Sequence, residues 1–180
     1  VKGRRDDVVI ATKGGFTFRS RPVPEQFARR WLKPLVSAVN RHRSPAQGES
    51  RSGSYAHQDF SARHLRDAVH ASLRRLRTDR IDVYQLHAPP EVLPDLLDDL
   101  SDLVVVGDVG RFGVGAQSVE VADTWISVSG IRVVQVPFGI LDTDPASMTF
   151  ALAGQHGREV WARGVLGGDL LNRAEADCNS

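Results

Sequence analysis

A lysine, a histidine, a glutamine and an arginine end or nearly end four short apolar runs of this 180-residue chain: Lys13 follows IAT, His87 follows YQL, Gln135 follows VV and Arg163 follows VWA. A fifth run, FGV, leads into Gly115 and Ala116. An ammonium, an imidazole, an amide and a guanidinium can polarise a carbonyl and hold developing negative charge. The set lacks a carboxylate, and a metal-dependent hydrolase needs several His, Asp or Glu ligands converging on one ion, so no metal is expected. It also lacks a Ser or Cys beside a base, which leaves nucleophilic acyl transfer unsupported. A lysine at a strand end is often only a solvated surface group, and a lone histidine is often a structural donor. Lys13 and His87 stand at equivalent ends of consecutive runs, however, and strand-end polar groups of a barrel are where function concentrates. Asp82, at the start of the second run, is expected to pair with Lys13 and keep it charged. His42, His57, His64, His70 and His156 are expected on loops or helix surfaces.

The elements that position these groups follow from the hydrophobic pattern. Runs rich in β-branched residues at Val8 to Thr12, Ile81 to Leu86, Gly110 to Val114, Val133 to Val136 and Val160 to Ala162 are continuous rather than alternating, as in strands of a parallel sheet covered on both faces. Between them lie segments of helical period. Ser61 caps one in which Leu65, Ala68, Val69, Ser72, Leu73 and Leu76 share a face. Leu93, Leu96, Leu97, Leu100, Leu103 and Val104 predict a second, with Pro94 in its first turn, and Ser118 to Val128 a third. A fourth opens at Asp144 and Pro145 and closes at Gly157.

Strict alternation of strand and helix predicts βαβ units and a parallel sheet. No Gly-x-Gly-x-x-Gly turn follows the first strand, which favours a (β/α) barrel over a doubly wound sheet, although an open five-stranded sheet also fits. The stretch 18–59 breaks the rhythm. It carries Phe27, Trp31, Leu35 and Val39 at helical spacing and then a polar run, Ser44 to Gly53, expected to be mobile; it reads as a lid or as a surface insertion on a single domain.

Composition narrows the class further. With 23 Lys and Arg against 22 Asp and Glu, a net charge of +1 gives no global attraction to nucleic acid or to anionic lipid. No apolar stretch approaches the ~20 residues a membrane span requires. One cysteine, Cys178, cannot form an intrachain bridge, and a reducing, cytoplasmic setting is expected. The chain opens on Val1 and enters a strand within a few residues, which suggests a piece of something longer.

At the residues that could do chemistry the sequence resembles the aldo-keto reductases. VVIATKGG is similar to the strand that ends in that family's catalytic lysine, and SLRRLRTDRIDVYQLHAPP is similar to its SLxxLxxDYIDLYxxH segment, which ends in the catalytic histidine. GDVGRFGVGAQS, VVQVPFGIL and VWARGVLGGDLL resemble three later family segments in the same order and spacing. The resemblance implies a parallel (β/α)8 TIM barrel, present as an incomplete one of about five strands. It also implies reduction of a small-molecule aldehyde or ketone by hydride transfer from NADPH, with a tyrosine supplying the proton. Lys13 would lower that tyrosine's pKa and His87 would orient the carbonyl oxygen. Gln135 would hold the nicotinamide carboxamide, Arg163 would stand where an aromatic residue usually stacks on the nicotinamide, and Gly164, Val165, Leu166 and Gly167 would lie along the pyrophosphate.

Two departures bear on function. The family's acidic residue and tyrosine precede the lysine strand and are not in this sequence, and neither Tyr55 nor Tyr84 fits the tyrosine's place, so the 180 residues alone are expected to be inactive or nearly so. The usual Ser-Asn pair is replaced by Gly115 and Ala116, which removes two side-chain contacts to the carboxamide. That change leaves a rival from another class, a non-catalytic reductase-like module that binds a nucleotide or regulates. A Schiff-base aldolase using Lys13 is a third reading. Substrate identity and oligomeric state are not written in the sequence.

Overall fold

A computed structural model describes residues 3–18, 55–93, 95–140 and 146–166. The chain divides into two units, Val1–Gly15 with Asp59–Ser180, and Phe16–Gln58. In the smaller unit, β2 (Phe16–Phe18) and β3 (Tyr55–Gln58) form an antiparallel pair, with Tyr55 opening β3. The Phe27 to Gly53 part of the expected lid lies outside the described residues.

The larger unit is built on five parallel strands, β1 (Ala11–Gly14), β4 (Ile81–His87), β5 (Val109–Gly115), β6 (Ile131–Pro137) and β7 (Glu159–Arg163), paired in that order. Every adjacent pair is parallel, as βαβ connections require. The first strand starts later than its apolar run: Val8 and Val9 are 36% and 65% exposed, and pairing begins at Ala11 opposite Val83. The Ile10 N–H is taken at 2.7 Å by the Asp82 carboxylate, so a side chain substitutes for the ladder there.

Around the sheet, α1 (Ala62–Leu76) forms as its caps dictate. Ser61 Oγ accepts from the His64 N–H, and Arg77, in the left-handed region at φ 53°, donates its N–H to the Leu73 carbonyl. Ser72 joins the buried stripe because its hydroxyl donates to the Ala68 carbonyl at 2.8 Å. The helix expected from Leu93 to Val104 is two short ones, α2 (Leu96–Asp99) and α3 (Ser101–Val105). Arg66 of α1 takes the Asp99 carbonyl and the Asp102 carboxylate, and Leu103 N–H bonds back only three residues, to Leu100, so the ladder tightens and breaks. Ser118 caps α4 (Val119–Ile126), and α5 (Ala146–Gln155) ends before Gly157 at φ 61°. Asp144 and Pro145 lie outside the described residues.

Alternation along the strands separates two faces. Tyr84, Leu86, Phe112, Val114, Val134 and Val136 pack with Leu65, Val69, Leu97, Leu100, Trp125 and Ile126 in one apolar core between sheet and helices. The residues between them in sequence, Gln85 and His87, Gly113 and Gly115, Val133 and Gln135, form the other face with Lys13. The expectation that all strands are buried holds for the interior three only; among the described residues β1 and β7 each have one partner, and both are largely exposed.

Two glycines after Lys13 have steric causes. A Cβ at Gly14 would lie 1.8 Å from the Tyr84 hydroxyl, and one at Gly15, whose φ is 115°, would lie 2.2 Å from the Phe60 ring. No helix among the described residues is long and apolar enough to cross a membrane.

Candidate active site

The register brings the candidate residues to one end of the sheet. Lys13 stands opposite Gln85 on β4, His87 opposite Gly115 on β5, and Gly115 opposite Gln135 on β6, all at or near the strands' C-terminal ends. Lys13 Nζ donates to Gln135 Oε1. Three strand spacings separate β1 from β6, about 14 Å on a flat sheet, more than the two side chains could bridge. The bond therefore reports a sheet that curls toward this face, as a barrel wall does.

Gly115 makes that bond possible, since a Cβ there would lie 3.0 Å from Lys13 Nζ and 3.7 Å from Gln135 Oε1. Burial, and then the charge of Arg163, lower the Lys13 pKa. Burial lowers that of His87 as well, with the charges of Lys13 and Arg163 adding to it. Lys13, His87 and Arg163 thus share one electrostatic environment, and His87 is held toward the neutral imidazole, which keeps one N–H donor and one acceptor.

Asp82 does not join this group, which corrects the expected pairing with Lys13. Its carboxylate binds Arg5 at 2.8 Å and Arg80 at 3.4 Å and accepts the Ile10 N–H, all at the opposite end of the sheet. Parallel strands put the start of β4 beside the residue before β1, so Asp82 sits three registers from Gln85, the residue facing Lys13. Burial pushes the Asp82 carboxyl up, but the Ile10 N–H, Arg5 and Arg80 together hold it below the usual carboxylate range. The partner of Lys13 is instead an amide 122 residues away, which spacing along the chain does not reveal.

Arg163, the last residue of β7, donates through Nε and Nη2 to the Ala116 carbonyl at 3.3 and 3.1 Å and through Nη2 to the Gln117 carbonyl at 2.8 Å. Ala116 is buried and its own N–H continues the ladder to the Gln135 carbonyl. Gly164, at φ 70°, Val165 and Leu166 follow as an exposed turn, with the Val165 carbonyl accepting from the Ile140 N–H; Gly167 lies outside the described residues. Tyr84 is fully buried on the helix-facing side, where burial raises its pKa, so it is not in the rim. A cleft of about 740 Å³ lies at the opposite end of the strands, lined by residues such as Leu97, Arg111, Gly130, Arg132 and Glu159, away from these groups.

The aldo/keto reductase family profile matches residues 1–179. The chain is 25% identical over 144 residues to the aldo-keto reductase YhdN of Bacillus subtilis, covering 79% of this chain and 34% of the relative. The uncharacterized oxidoreductase YqkF of the same organism is 25% identical over 98% of this chain and 48% of its own length. The chain thus spans about a third to a half of the curated relatives it matches. Among solved structures, the holo form of aldo-keto reductase AKR11C1 from Bacillus halodurans superposes with a TM-score of 0.63 at 27% identity, over 91% of this chain and 45% of that one. The glycerol dehydrogenase AKR11B4 from Gluconobacter oxydans gives 0.53 at 28% identity, over 65% and 36%. A five-stranded parallel sheet that curls and matches about half of such a barrel is an incomplete (β/α)8 barrel, and the chain belongs to the aldo/keto reductase family.

Proposed function

We propose that the rim holding Lys13, His87 and Gln135 serves NADPH-dependent reduction of an aldehyde or ketone to an alcohol. The observation that carries this reading is the Lys13 to Gln135 bond over bare Gly115, with His87 opposite that glycine in the strand register. The residues fit a nicotinamide. Gln135 uses its oxygen on Lys13 and keeps its amide N–H groups to offer a carboxamide oxygen. The space over Gly115 is one a side chain would narrow, and the backbone at Gly164 is in a conformation that suits close approach to phosphates. When bound, the cofactor supplies the hydride.

This chain's own residues do the rest of the positioning. His87, held neutral, donates an N–H to the carbonyl oxygen and polarises it. The Lys13 ammonium holds its protons at Nζ beside that oxygen and favours the anionic form of a neighbouring proton donor, which by the family resemblance is a tyrosine outside this sequence. A relative named as a glycerol dehydrogenase supports alcohol and carbonyl interconversion as the reaction class.

The test is NADPH oxidation by the full-length protein with a panel of aldehydes and ketones, wild type beside Lys13→Met. Turnover lost in the variant supports the reading, and equal turnover in both sinks it. The absence of polar side chains at Gly115 and Ala116 favours a second reading, a nucleotide-binding module without catalysis. Tight NADPH binding with no turnover on any carbonyl would select it.

A further inference from the structure

We infer that Arg163 is a positioning residue: its guanidinium fork fixes the β5 to α4 turn and so sets the geometry of the nicotinamide end of the site. The inference rests on the proposed cofactor reading. Arg163 reaches from the end of β7 past β6 to the end of β5, two strand spacings or about 10 Å away. There it binds the carbonyls of two successive residues, Ala116 and Gln117. The Ala116 carbonyl is gripped by Nε and Nη2 together while Nη2 also serves Gln117, and that two-nitrogen fork is one a guanidinium has and an ammonium lacks.

The turn's own side chains do little to hold it. Gly115 and Ala116 carry no polar side chain, and Gln117 is exposed. Ala116 N–H bonds Gln135, and Ser118 begins the cap of α4, so Gln117 sits between two fixed points with its carbonyl on Arg163. Ala116 and Gln135 are directly tied by that backbone bond, and Gln135 carries the amide that faces Lys13. Loosening the turn therefore moves the groups around a nicotinamide, whereas the Gly164 turn is held by backbone bonds, Phe138 N–H to the Arg163 carbonyl and Ile140 N–H to the Val165 carbonyl.

The experiment compares two probes in the full-length protein: NADP⁺ and 2′-phospho-ADP-ribose, the same molecule without its nicotinamide. Dissociation constants are measured for wild type, Arg163→Lys and Arg163→Ala, with thermal melting as a fold control. Both variants should weaken NADP⁺ by about tenfold and leave 2′-phospho-ADP-ribose within about twofold, with melting little changed. Wild-type NADP⁺ affinity in Arg163→Lys would overturn the inference, since charge alone would then suffice. Equal weakening of both probes would overturn it too, as would affinity for NADP⁺ unaltered in Arg163→Ala. Failure of the wild type to bind either probe would count instead against the cofactor reading.

Discussion

Lys13 on β1 and Gln135 on β6 are joined by a hydrogen bond that crosses the ends of two intervening strands, over a glycine on one of them. Here a strand-end lysine meets a neutral amide, which adds no opposite charge to hold its proton. Its lowered pKa follows from burial and from Arg163.

Lys13→Met is expected to cut kcat/KM by at least about 100-fold, the scale of a lost electrostatic or proton-handling group. If the ammonium is the active form, wild-type activity falls as pH rises through its lowered pKa, so the alkaline limb lies below the 10.5 of an ordinary lysine. Removing a positive neighbour raises an ammonium's pKa. Arg163→Gln should therefore move the limb to higher pH, and a kcat/KM profile in which it stays put would contradict the electrostatic link.

Burial, with the charges of Lys13 and Arg163, lowers the His87 pKa in the fold below the 6.5 of an ordinary histidine. The unfolded state then binds more protons near pH 6.5 and below, so stability contributed at this site is present above that range and is lost on acidification. Urea midpoints between pH 5 and pH 8 should show a shallower slope for His87→Gln than for wild type. The same variant keeps an N–H donor and should retain more activity than His87→Leu.

Gly115→Ala places a methyl 3.0 Å from Lys13 Nζ, at the far end of a flexible side chain. The ammonium moves before the backbone does. The expected result is a stability change under about 1 kcal/mol with a clear loss of kcat. Calorimetry and steady-state kinetics on the same sample separate the two; a large melting shift with kcat intact would refute it.

Asp82→Asn breaks a network that joins Arg5, Arg80 and the Ile10 amide at the far end of the sheet. It should destabilise by about 1–2 kcal/mol, more at neutral pH than near pH 3, because the wild-type carboxyl loses its advantage once protonated. Activity per folded molecule should not change. A shifted alkaline limb in this variant would revive a link to Lys13.

Most elements of the larger unit, and their order, are legible in local pattern, whereas the β2–β3 pair is not. Helical period and the Ser61 and Ser118 caps are local signals, and the structure forms α1 and α4 on them. The runs around Ile81, Gly110, Val133 and Val160 became parallel strands because β-branched apolar residues between helices have little other way to be buried. Strand ends were equally legible, and with them the placing of Lys13, His87, Gln135 and Arg163 at one rim. Tertiary structure decided who meets whom there. Parallel register sent Asp82 to Arg5 and Arg80 at the opposite end, sheet curvature brought Gln135 to Lys13, and the Arg66 side chain split the helix expected after Leu93. Each of these outcomes is a contact between residues dozens of positions apart, set by strand offset and by the closing of the sheet, and neither quantity is encoded in the spacing of residues along one segment.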